Sequence, residues 1–283
     1  MSKSLLKSGN TAVITGAASG IGLAIARNLA ERGLQVFMAD SNSERLKTSA
    51  AAVAASAPDG SAAVRLMVCD VSRELEVNAL RDAAVAAFGG INLVVNNAGV
   101  GKPCKPWSDR DAWELMLGVN LWGVINGVQA FAPLLMAQGE RSAIINLGSK
   151  QGITNPPGNA AYNVSKAGVR VLTEQLAYEF RQIKECPVTA HLLVPGFTFS
   201  SMTTPGSTEK PAGAWTPEQV AERMIEGVSA GDFYIICQDN EVTWEMDQKR
   251  IAWAAGDIIE SRPALSRWHP DHADRFKAFV AGK

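Results

Sequence analysis

A tyrosine and a lysine four positions apart, Tyr162 and Lys166, are the residues best suited to acid–base chemistry in this sequence. In a helix they would lie on one face, one turn apart. A free tyrosine has a pKa of about 10, and a neighbouring cation lowers that pKa by favouring the phenolate. Ser149 ends a β-like run, residues 143–147, and its hydroxyl could hold a substrate oxygen. Together these side chains could exchange a proton with an alcohol or a carbonyl group.

A strand, a glycine-rich turn and a helix come near the start of the chain. Residues 11–15 are β-branched and predict a buried strand, and residues 21–32 have helical periodicity. Between them stand Gly16, Gly20 and Gly22. A helix N-terminus favours an anion, and glycine leaves room for a pyrophosphate. The sequence therefore predicts a dinucleotide-binding turn, with a plain glycine-rich turn as the alternative.

An acidic residue, Asp40, ends the second predicted strand, residues 35–39. Its distance from the glycines fits an acceptor for the adenosine ribose diol, and its charge would repel a 2′-phosphate. Ser41 and Asn42 follow, with no adjacent Arg or Lys to receive such a phosphate. This pattern favours NAD over NADP. The alternative is a helix cap or a solvated loop acid.

Predicted strands and helices alternate as far as residue 194. This alternation predicts an α/β fold with a doubly wound parallel sheet, in which a ligand sits at the carboxyl ends of the strands. Asp70, Asn97 and Gly99 come at such ends. A capping box that starts at Ser108 is expected to open a helix that Pro133 should kink or break.

The composition of the chain limits the classes of partner that it is expected to bind. The formal net charge is −1, so nothing suggests a nucleic acid or a membrane surface as partner. No apolar run approaches the about 18 residues that a spanning helix needs, and residues 1–6 show no signal-peptide core. The four cysteines are scattered, which indicates neither a zinc site nor a disulfide framework. His269 and His272 have no third ligand nearby, so no metal is expected, and a cytoplasmic location is the simplest interpretation.

These residues together resemble the short-chain dehydrogenase/reductase family, in its single-domain NAD-type branch. The matching motifs are TGAASGIG at 15–22, CDV at 69–71, NNAG at 96–99, Asn120, Ser149, YNVSK at 162–166 and PG at 195–196. They cover about the first 200 residues in the family's order and spacing. The resemblance implies a Rossmann-like doubly wound parallel sheet of about seven strands. Gly148 and Ser200 depart from the family's frequent Ser and Thr, and neither puts activity in doubt.

The resemblance also implies a role for each matching position. Tyr162 would be the catalytic acid/base, Lys166 would lower its pKa and bind the nicotinamide ribose, and Ser149 would orient the substrate oxygen. Asn120 would hold a water in a proton relay from Lys166. The matches that would bind the pyrophosphate of NAD are Gly16, Ser19, Gly20, Ile21 and Gly22. Those at the adenosine half are Asp40 at the ribose, Asp70 and Val71 at adenine, and Asn97, Ala98 and Gly99 in the adenosine and ribose region. Those at the nicotinamide are Pro195, Gly196, Thr198 and Ser200.

The last third of the chain carries a weaker resemblance. Residues 197–215 are rich in Thr, Ser, Pro and Gly and predict a mobile substrate loop or lid. A capped helix is expected from Thr216 to residue 230, and a seventh strand over 233–237. Residues 240–283 predict a helical extension that packs on the single domain 1–283 or on another subunit, and a homo-oligomer, dimer or tetramer, is expected.

The pocket residues point to the substrate class. Candidates at the strand ends are Val100, Ser149, Gln151, Asn159, Tyr162, Phe197, Phe199 and Met202. Their apolar bias favours a hydrophobic or aromatic secondary alcohol, although the same side chains could be ordinary core. The sequence thus predicts an NAD(H)-dependent oxidoreductase that interconverts a secondary alcohol and a ketone. The alternatives are an NADPH-dependent ketoreductase and a non-catalytic dinucleotide sensor; the intact Asn120, Ser149, Tyr162 and Lys166 argue against the sensor.

Overall fold

The computed structural model describes residues 5–282; Met1–Ser4 and Lys283 lie outside the described residues. Seven strands alternate with helices along the chain. The strands are β1 (Thr11–Thr15), β2 (Gln35–Asp40), β3 (Val64–Val68), β4 (Leu93–Asn96), β5 (Ser142–Leu147), β6 (Val188–Val194) and β7 (Tyr234–Ile236). The helices are α1 (Gly20–Glu31), α2 (Ser43–Ser56), α3 (Glu74–Phe88), α4 (Arg110–Leu117), α5 (Gly123–Gln138), α6 (Gln151–Thr154), α7 (Ala160–Gln182), α8 (Pro217–Ala230), α9 (Trp244–Ile259) and α10 (Ala273–Ala281).

All seven strands form one parallel sheet in the order β3-β2-β1-β4-β5-β6-β7. The predicted doubly wound parallel sheet is therefore confirmed. Strand order reverses between β1 and β4, so the crevice above their carboxyl ends is where such folds bind ligands. The loops after β1, β4, β5 and β6 meet at this edge.

Two apolar layers fix the strands between helices. Val13, Val94 and Ile144 belong to one layer, which also holds Phe131 of α5 and Val169 of α7. The next residue of each strand, Ile14, Val95 and Ile145, belongs to the other layer, under α1, α2 and α8. Strands that are buried on both faces read as continuous apolar runs because neither face needs polar residues. The result is a rigid platform whose strand ends carry the polar residues.

The helix before β5 differs from the sequence expectation in two places. Asp109, not Ser108, caps α4: its carboxylate accepts a hydrogen bond from Ala112 N at 3.1 Å. Pro133 lies inside α5 without ending it, because the burial of residues such as Phe131 and Leu135 holds the helix. The irregularity comes earlier, as a π-helical turn over Gly118–Trp122 between α4 and α5.

The stretch Arg110–Gln138 forms one continuous helical run that is long and apolar enough, by length and composition, to cross a membrane. The helical run is this long because α4, the π turn and α5 join, although polar residues such as Asn120 and Asn126 interrupt its apolar residues. More than half of its most apolar window, 56%, is buried inside the fold. Asn120 and Asn126 are also buried there. The run has the character of a core helix.

The loop between β6 and α8 has a closed base. Thr198 and Trp215 form an isolated parallel bridge. The expected helix start at Thr216 is confirmed: its side chain accepts from Gln219 N, the Gln219 side chain accepts from Thr216 N, and Pro217 is the first helical residue. The segment between β5 and α7 contains the short helix α6.

The expected helical C-terminal extension is present as α9, two 3-10 turns and α10. Its centre is Trp253, which is 4% exposed and donates to Ser266 Oγ at 2.8 Å. The rings of Phe276 and Phe279 lie 5.4 Å and 5.3 Å from it. Helix α9 also contacts α6, beside the strand end that carries Ser149.

Candidate active site

Helix α7 brings the first pair of candidate residues together. Tyr162 is its third residue and Lys166 lies one turn further on. Lys166 Nζ is 5.8 Å from the centre of the Tyr162 ring. The two side chains therefore share one face of α7, as the spacing predicts.

Ser149 reaches the same place from β5. Its side chain lies close enough to the Tyr162 hydroxyl to lower the pKa of the tyrosine, and its hydroxyl accepts a hydrogen bond from Gln151 N at 3.1 Å. The first turn of α6 thus fixes the Ser149 hydroxyl. Two hydroxyl groups from different elements face one point at the carboxyl edge of the sheet.

Burial dominates the electrostatics of this pair. Lys166 is buried, donates to Leu147 O at 2.7 Å, and its pKa is lowered to about 8 by desolvation. Desolvation raises the pKa of Tyr162, and the Ser149 hydrogen bond only partly opposes it. The lowering of the tyrosine pKa by Lys166 therefore stays a prediction. The lysine ammonium is bonded to the Leu147 carbonyl, and the loss of hydration is the larger influence on the tyrosine.

Asn120 lies fully buried in the π turn. Its Oδ1 accepts from Val100 N at 2.8 Å, and its Nδ2 donates to Val100 O at 2.9 Å and to Ser165 Oγ at 3.3 Å. The amide is thus used in joining the loop after β4 to α7. The water relay from Lys166 that the family resemblance implies at Asn120 stays a prediction.

The glycine-rich turn packs against the end of β4. A Cβ on Gly16, whose φ is +64°, would lie 2.8 Å from Ala98 Cα. Asn97 Nδ2 donates to Thr15 O at 2.8 Å and to Gly16 O at 3.2 Å. Asn97 therefore acts on the turn itself and shapes the cradle. The close packing explains why Gly16 and Gly22 have no side chains, and the cradle fits a pyrophosphate.

Asp40 ends β2 beside this turn. Its Oδ2 accepts from Ala18 N at 3.1 Å and its Oδ1 from Asn42 N at 2.9 Å. An ionised carboxylate has about four acceptor positions, so two oxygens fixed by backbone N–H groups can still bind hydroxyl groups. The carboxylate is oriented rather than free.

The loop after β6 closes over the site. Ser200 Cβ lies 3.7 Å from the position that a Cβ on Gly20 would take, and Met202 Cγ lies 3.3 Å from that on Gly101. Thr198 is buried and donates to Gly196 O at 3.3 Å. The predicted nicotinamide residues and the predicted pyrophosphate turn thus face each other. Lys166 Nζ lies 3.8 Å from the Cβ position of Gly99, which joins the lysine to the same crevice.

The other candidate residues lie at the two ends of the crevice. Asp70 accepts from Ser72 N and Oγ at 3.0 Å and 2.7 Å, and Val71 is buried. Gln151 Oε1 and Asn159 Oδ1 are buried and accept no hydrogen bond from the described part of the chain. Phe197 and Met202 are 39% and 43% exposed, so they line an opening rather than the core. Within residues 5–282, no group of three or more His, Cys, Asp or Glu side chains is placed to hold a metal.

Two contributors were missed from the sequence. Thr15 Oγ1 accepts from Asn97 N at 3.0 Å and so helps to set the cradle. Lys150, next to Ser149, forms ion pairs with Asp239 and Asp247 of the C-terminal part at 3.3 Å and 2.6 Å. In the sequence, a threonine at the end of a buried strand gave only a weak indication that Thr15 contributes to the site. Nothing in the sequence linked Lys150 to partners so far along the chain.

The family profile described as short chain dehydrogenase matches residues 10–211. The chain belongs to the short-chain dehydrogenase/reductase family. It is an oxidoreductase of the kind that binds a nicotinamide dinucleotide.

Individual relatives share this fold along most of the chain. SadH of Mycobacterium tuberculosis, named as an oxidoreductase, is 33% identical over 245 residues, which cover 81% of this chain and 86% of SadH. A short-chain dehydrogenase/reductase from Burkholderia phymatum in complex with NAD superposes with a TM-score of 0.81 at 31% identity, covering 90% of this chain and 96% of that one. An alcohol dehydrogenase from Thermococcus sibiricus complexed with 5-hydroxy-NADP has a TM-score of 0.69 at 27% identity, covering 77% and 90%.

Proposed function

We propose that this enzyme interconverts a secondary alcohol and a ketone with NAD(H). The observation that carries the proposal is the meeting of Ser149, Tyr162 and Lys166 at one point of the sheet edge, where Ser149 lies close enough to lower the pKa of Tyr162 and Lys166 Nζ lies 5.8 Å from the centre of the Tyr162 ring. An alcohol oxygen between these hydroxyls would hold a donor and an acceptor at once.

In the proposed mechanism, Ser149 and Tyr162 hold the substrate oxygen, and Tyr162 accepts its proton during oxidation or returns it during reduction. Lys166 supplies positive charge below the tyrosine. Nicotinamide bound in the crevice supplies the hydride acceptor or donor. Because Lys166 Nζ lies close to Gly99, it is also placed to donate to a ribose hydroxyl. Asn120 fixes the backbone around this group through Val100 and Ser165.

NAD is the proposed cofactor because Asp40 is held at the end of β2 as a fixed negative charge. Its oxygens would accept from the ribose diol and repel a 2′-phosphate. The remaining predicted contacts with NAD are part of the same proposal. The NAD complex of the Burkholderia phymatum relative supports it, and the NADP-type ligand of the Thermococcus sibiricus enzyme keeps an NADPH-dependent reductase as the alternative.

The proposed substrate has an apolar body with a polar side group. Phe197, Phe199 and Met202 stand on the loop that faces the crevice, and the first and last of these are partly exposed. Gln151 Oε1 and Asn159 Oδ1 are buried acceptors without a partner among the described residues. Since an unpaired buried acceptor costs about 1–3 kcal/mol, a substrate hydroxyl or amide could pair with one of them.

The proposal includes one domain over residues 1–283 and a homo-oligomer. Helices α4 and α7 are neighbours, and their region exposes Leu115, Trp122, Val164 and Val171. Exposed apolar side chains on adjacent elements are typical of a protein interface. All four cysteines are free thiols, which supports the proposed cytoplasmic location.

The test is nicotinamide reduction by the purified protein, with NAD⁺ and NADP⁺ compared over aliphatic, aryl, cyclic and steroidal secondary alcohols. The proposal expects turnover with NAD⁺ and preference for alcohols with a large apolar group. Faster turnover with NADP⁺ would support the alternative reductase. Tight NAD⁺ binding without turnover on the whole panel would favour the dinucleotide sensor.

A further inference from the structure

The segment between β7 and α9 holds both ends of the loop 197–215. At the start of the loop, Asp239 Oδ2 accepts from Phe197 N at 3.3 Å. At its end, Asn240 N donates to Gly213 O at 3.0 Å, and Asn240 Nδ2 donates to Ala212 O at 2.7 Å. Two consecutive residues of the C-terminal part therefore bind both flanks of one loop.

The loop itself is closed at its base. Phe199 N donates to Trp215 O at 2.8 Å, and Trp215 N donates to Phe197 O at 2.9 Å. These two hydrogen bonds hold the two flanks of the loop together at its base. It carries Ser200 opposite Gly20 and Met202 opposite Gly101. Whatever holds the base therefore sets how these side chains face the crevice.

An ion pair joins the same segment to the residue after Ser149. Lys150 Nζ lies 3.3 Å from Asp239 Oδ2 and 2.6 Å from Asp247 Oδ2 of α9. The three side chains are largely buried: lysine 18% exposed and each aspartate 7%. A Cβ on Gly196 would lie 2.9 Å from Lys150 Nζ and 2.8 Å from Asp239 Oδ2. The ion pair thus lies directly against the Pro195–Gly196 turn.

The buried ion pair of Lys150 with Asp239 and Asp247 is costly to break. Removing one partner of a buried pair leaves an uncompensated charge, which is strongly unfavourable. Here one cation lies between two carboxylates, so Lys150 is the member whose loss would leave the most uncompensated charge. Burial raises the pKa of Asp247, while the hydrogen bond and charge of Lys150 oppose that rise.

We propose that Lys150, Asp239 and Asn240 are positioning residues through which the C-terminal part sets the base of the 197–215 loop and its alignment with Ser149. This inference rests on the proposed function, since it assigns the loop to cofactor and substrate binding. It also gives the C-terminal extension a role in the site: Asp247 of α9 anchors Lys150.

The test compares Asp239→Asn and Asn240→Ala with a matched control, Asp257→Asn. Asp257 pairs with Arg262 at 3.0 Å in the same extension, with side chains 12% and 7% exposed, and its side-chain hydrogen bonds within residues 5–282 go to Arg262 and Ser266. Amide hydrogen exchange of peptides from 197–215 is measured by mass spectrometry on the full chain. Loss of a charged or paired hydrogen bond should speed exchange there about tenfold in both test variants. The control should leave it unchanged.

Kinetics give the second readout. Asn240→Ala, which lies on the surface and should fold, is expected to raise the KM for the alcohol about tenfold with kcat within about threefold, because it loosens binding rather than chemistry. Unchanged exchange in both test variants, or an equal increase in Asp257→Asn, would overturn the proposal. If the wild-type protein oxidises no alcohol, the proposed function fails, and hydrogen exchange still decides whether these residues hold the loop.

Discussion

The carboxylate of Asp40 should decide the choice between NAD and NADP, and Asp40→Asn tests this with little change of shape. Asparagine can still accept from Ala18 N through one oxygen, but it loses the charge and the second acceptor that Asn42 N now uses. Ala18 is buried, so keeping this bond should keep the glycine-rich turn folded. The variant therefore removes the charge together with one backbone hydrogen bond, and it keeps the bond to the glycine-rich turn.

The magnitude follows from two terms. A unit charge about 4 Å from a 2′-phosphate charge costs about 4 kcal/mol at an effective dielectric constant of 20, and screening at this half-exposed site leaves about 1–2 kcal/mol. Replacing charged by neutral hydrogen bonds to the ribose diol loses about 1 kcal/mol of NAD binding. Because the two terms add in the ratio, the preference for NAD over NADP should fall by about 100-fold.

The assay is the ratio of the NADH and NADPH dissociation constants, measured by nicotinamide fluorescence, with kcat/KM for both cofactors alongside. Asp70→Asn removes the same charge one strand away and is the matched control; its ratio should stay within about threefold of wild type. An unchanged ratio in Asp40→Asn, or an equal fall in the control, would refute the role given to Asp40.

Two further predictions concern the catalytic helix. Lys166 is buried and its pKa is lowered to about 8, so the folded state disfavours its charge. The resulting loss of folding stability is fully present below pH 8 and is relieved as the pH rises from about 8 towards the unfolded pKa of about 10.4. Lys166→Met should therefore stabilise the cofactor-free protein at pH 7 by up to about 3 kcal/mol and abolish turnover. The gain in stability, measured by urea unfolding, should shrink above pH 8. A loss of stability at pH 7 would contradict this prediction. Gly152 packs on α7, where an added Cβ would lie 2.5 Å from the carbonyl carbon of Lys166; Gly152→Ala should cost about 1–3 kcal/mol in urea unfolding and lower kcat, whereas Gly90→Ala, with 3.7 Å to its nearest neighbour, should change neither.

The fold could be predicted because each of its signals is local. Strand, glycine-rich turn and helix follow one another within about 20 residues at the dinucleotide turn, and the capping box at Thr216 is read from adjacent positions. The grouping of Tyr162, Lys166 and Ser149 also follows from helix spacing and from the rule that ligands meet strand ends. The local sequence pattern therefore determines which residues lie at the carboxyl edge of the sheet.

The errors come from interactions that the sequence pattern does not show. Lys150 and Asp239 are 89 positions apart, so only the folded chain shows their ion pair. The tyrosine pKa depends on burial and on where the Lys166 ammonium points, and spacing alone gives neither. Asn120 was identified through the family resemblance, but its π turn and its bonds to Val100 depend on packing between α4, α7 and the loop after β4.

The most direct test of the central claim is Tyr162→Phe, which removes one hydroxyl and keeps the ring. Nicotinamide reduction with the best alcohol of the panel is measured beside NADH binding by fluorescence. The proposed mechanism predicts that turnover falls by about 100- to 10,000-fold, the usual contribution of a general acid–base group, while the dissociation constant of NADH stays within about threefold. Turnover that survives in Tyr162→Phe, or a loss of NADH binding that accounts for the loss of turnover, would contradict the role of Tyr162 as the proton-transfer group.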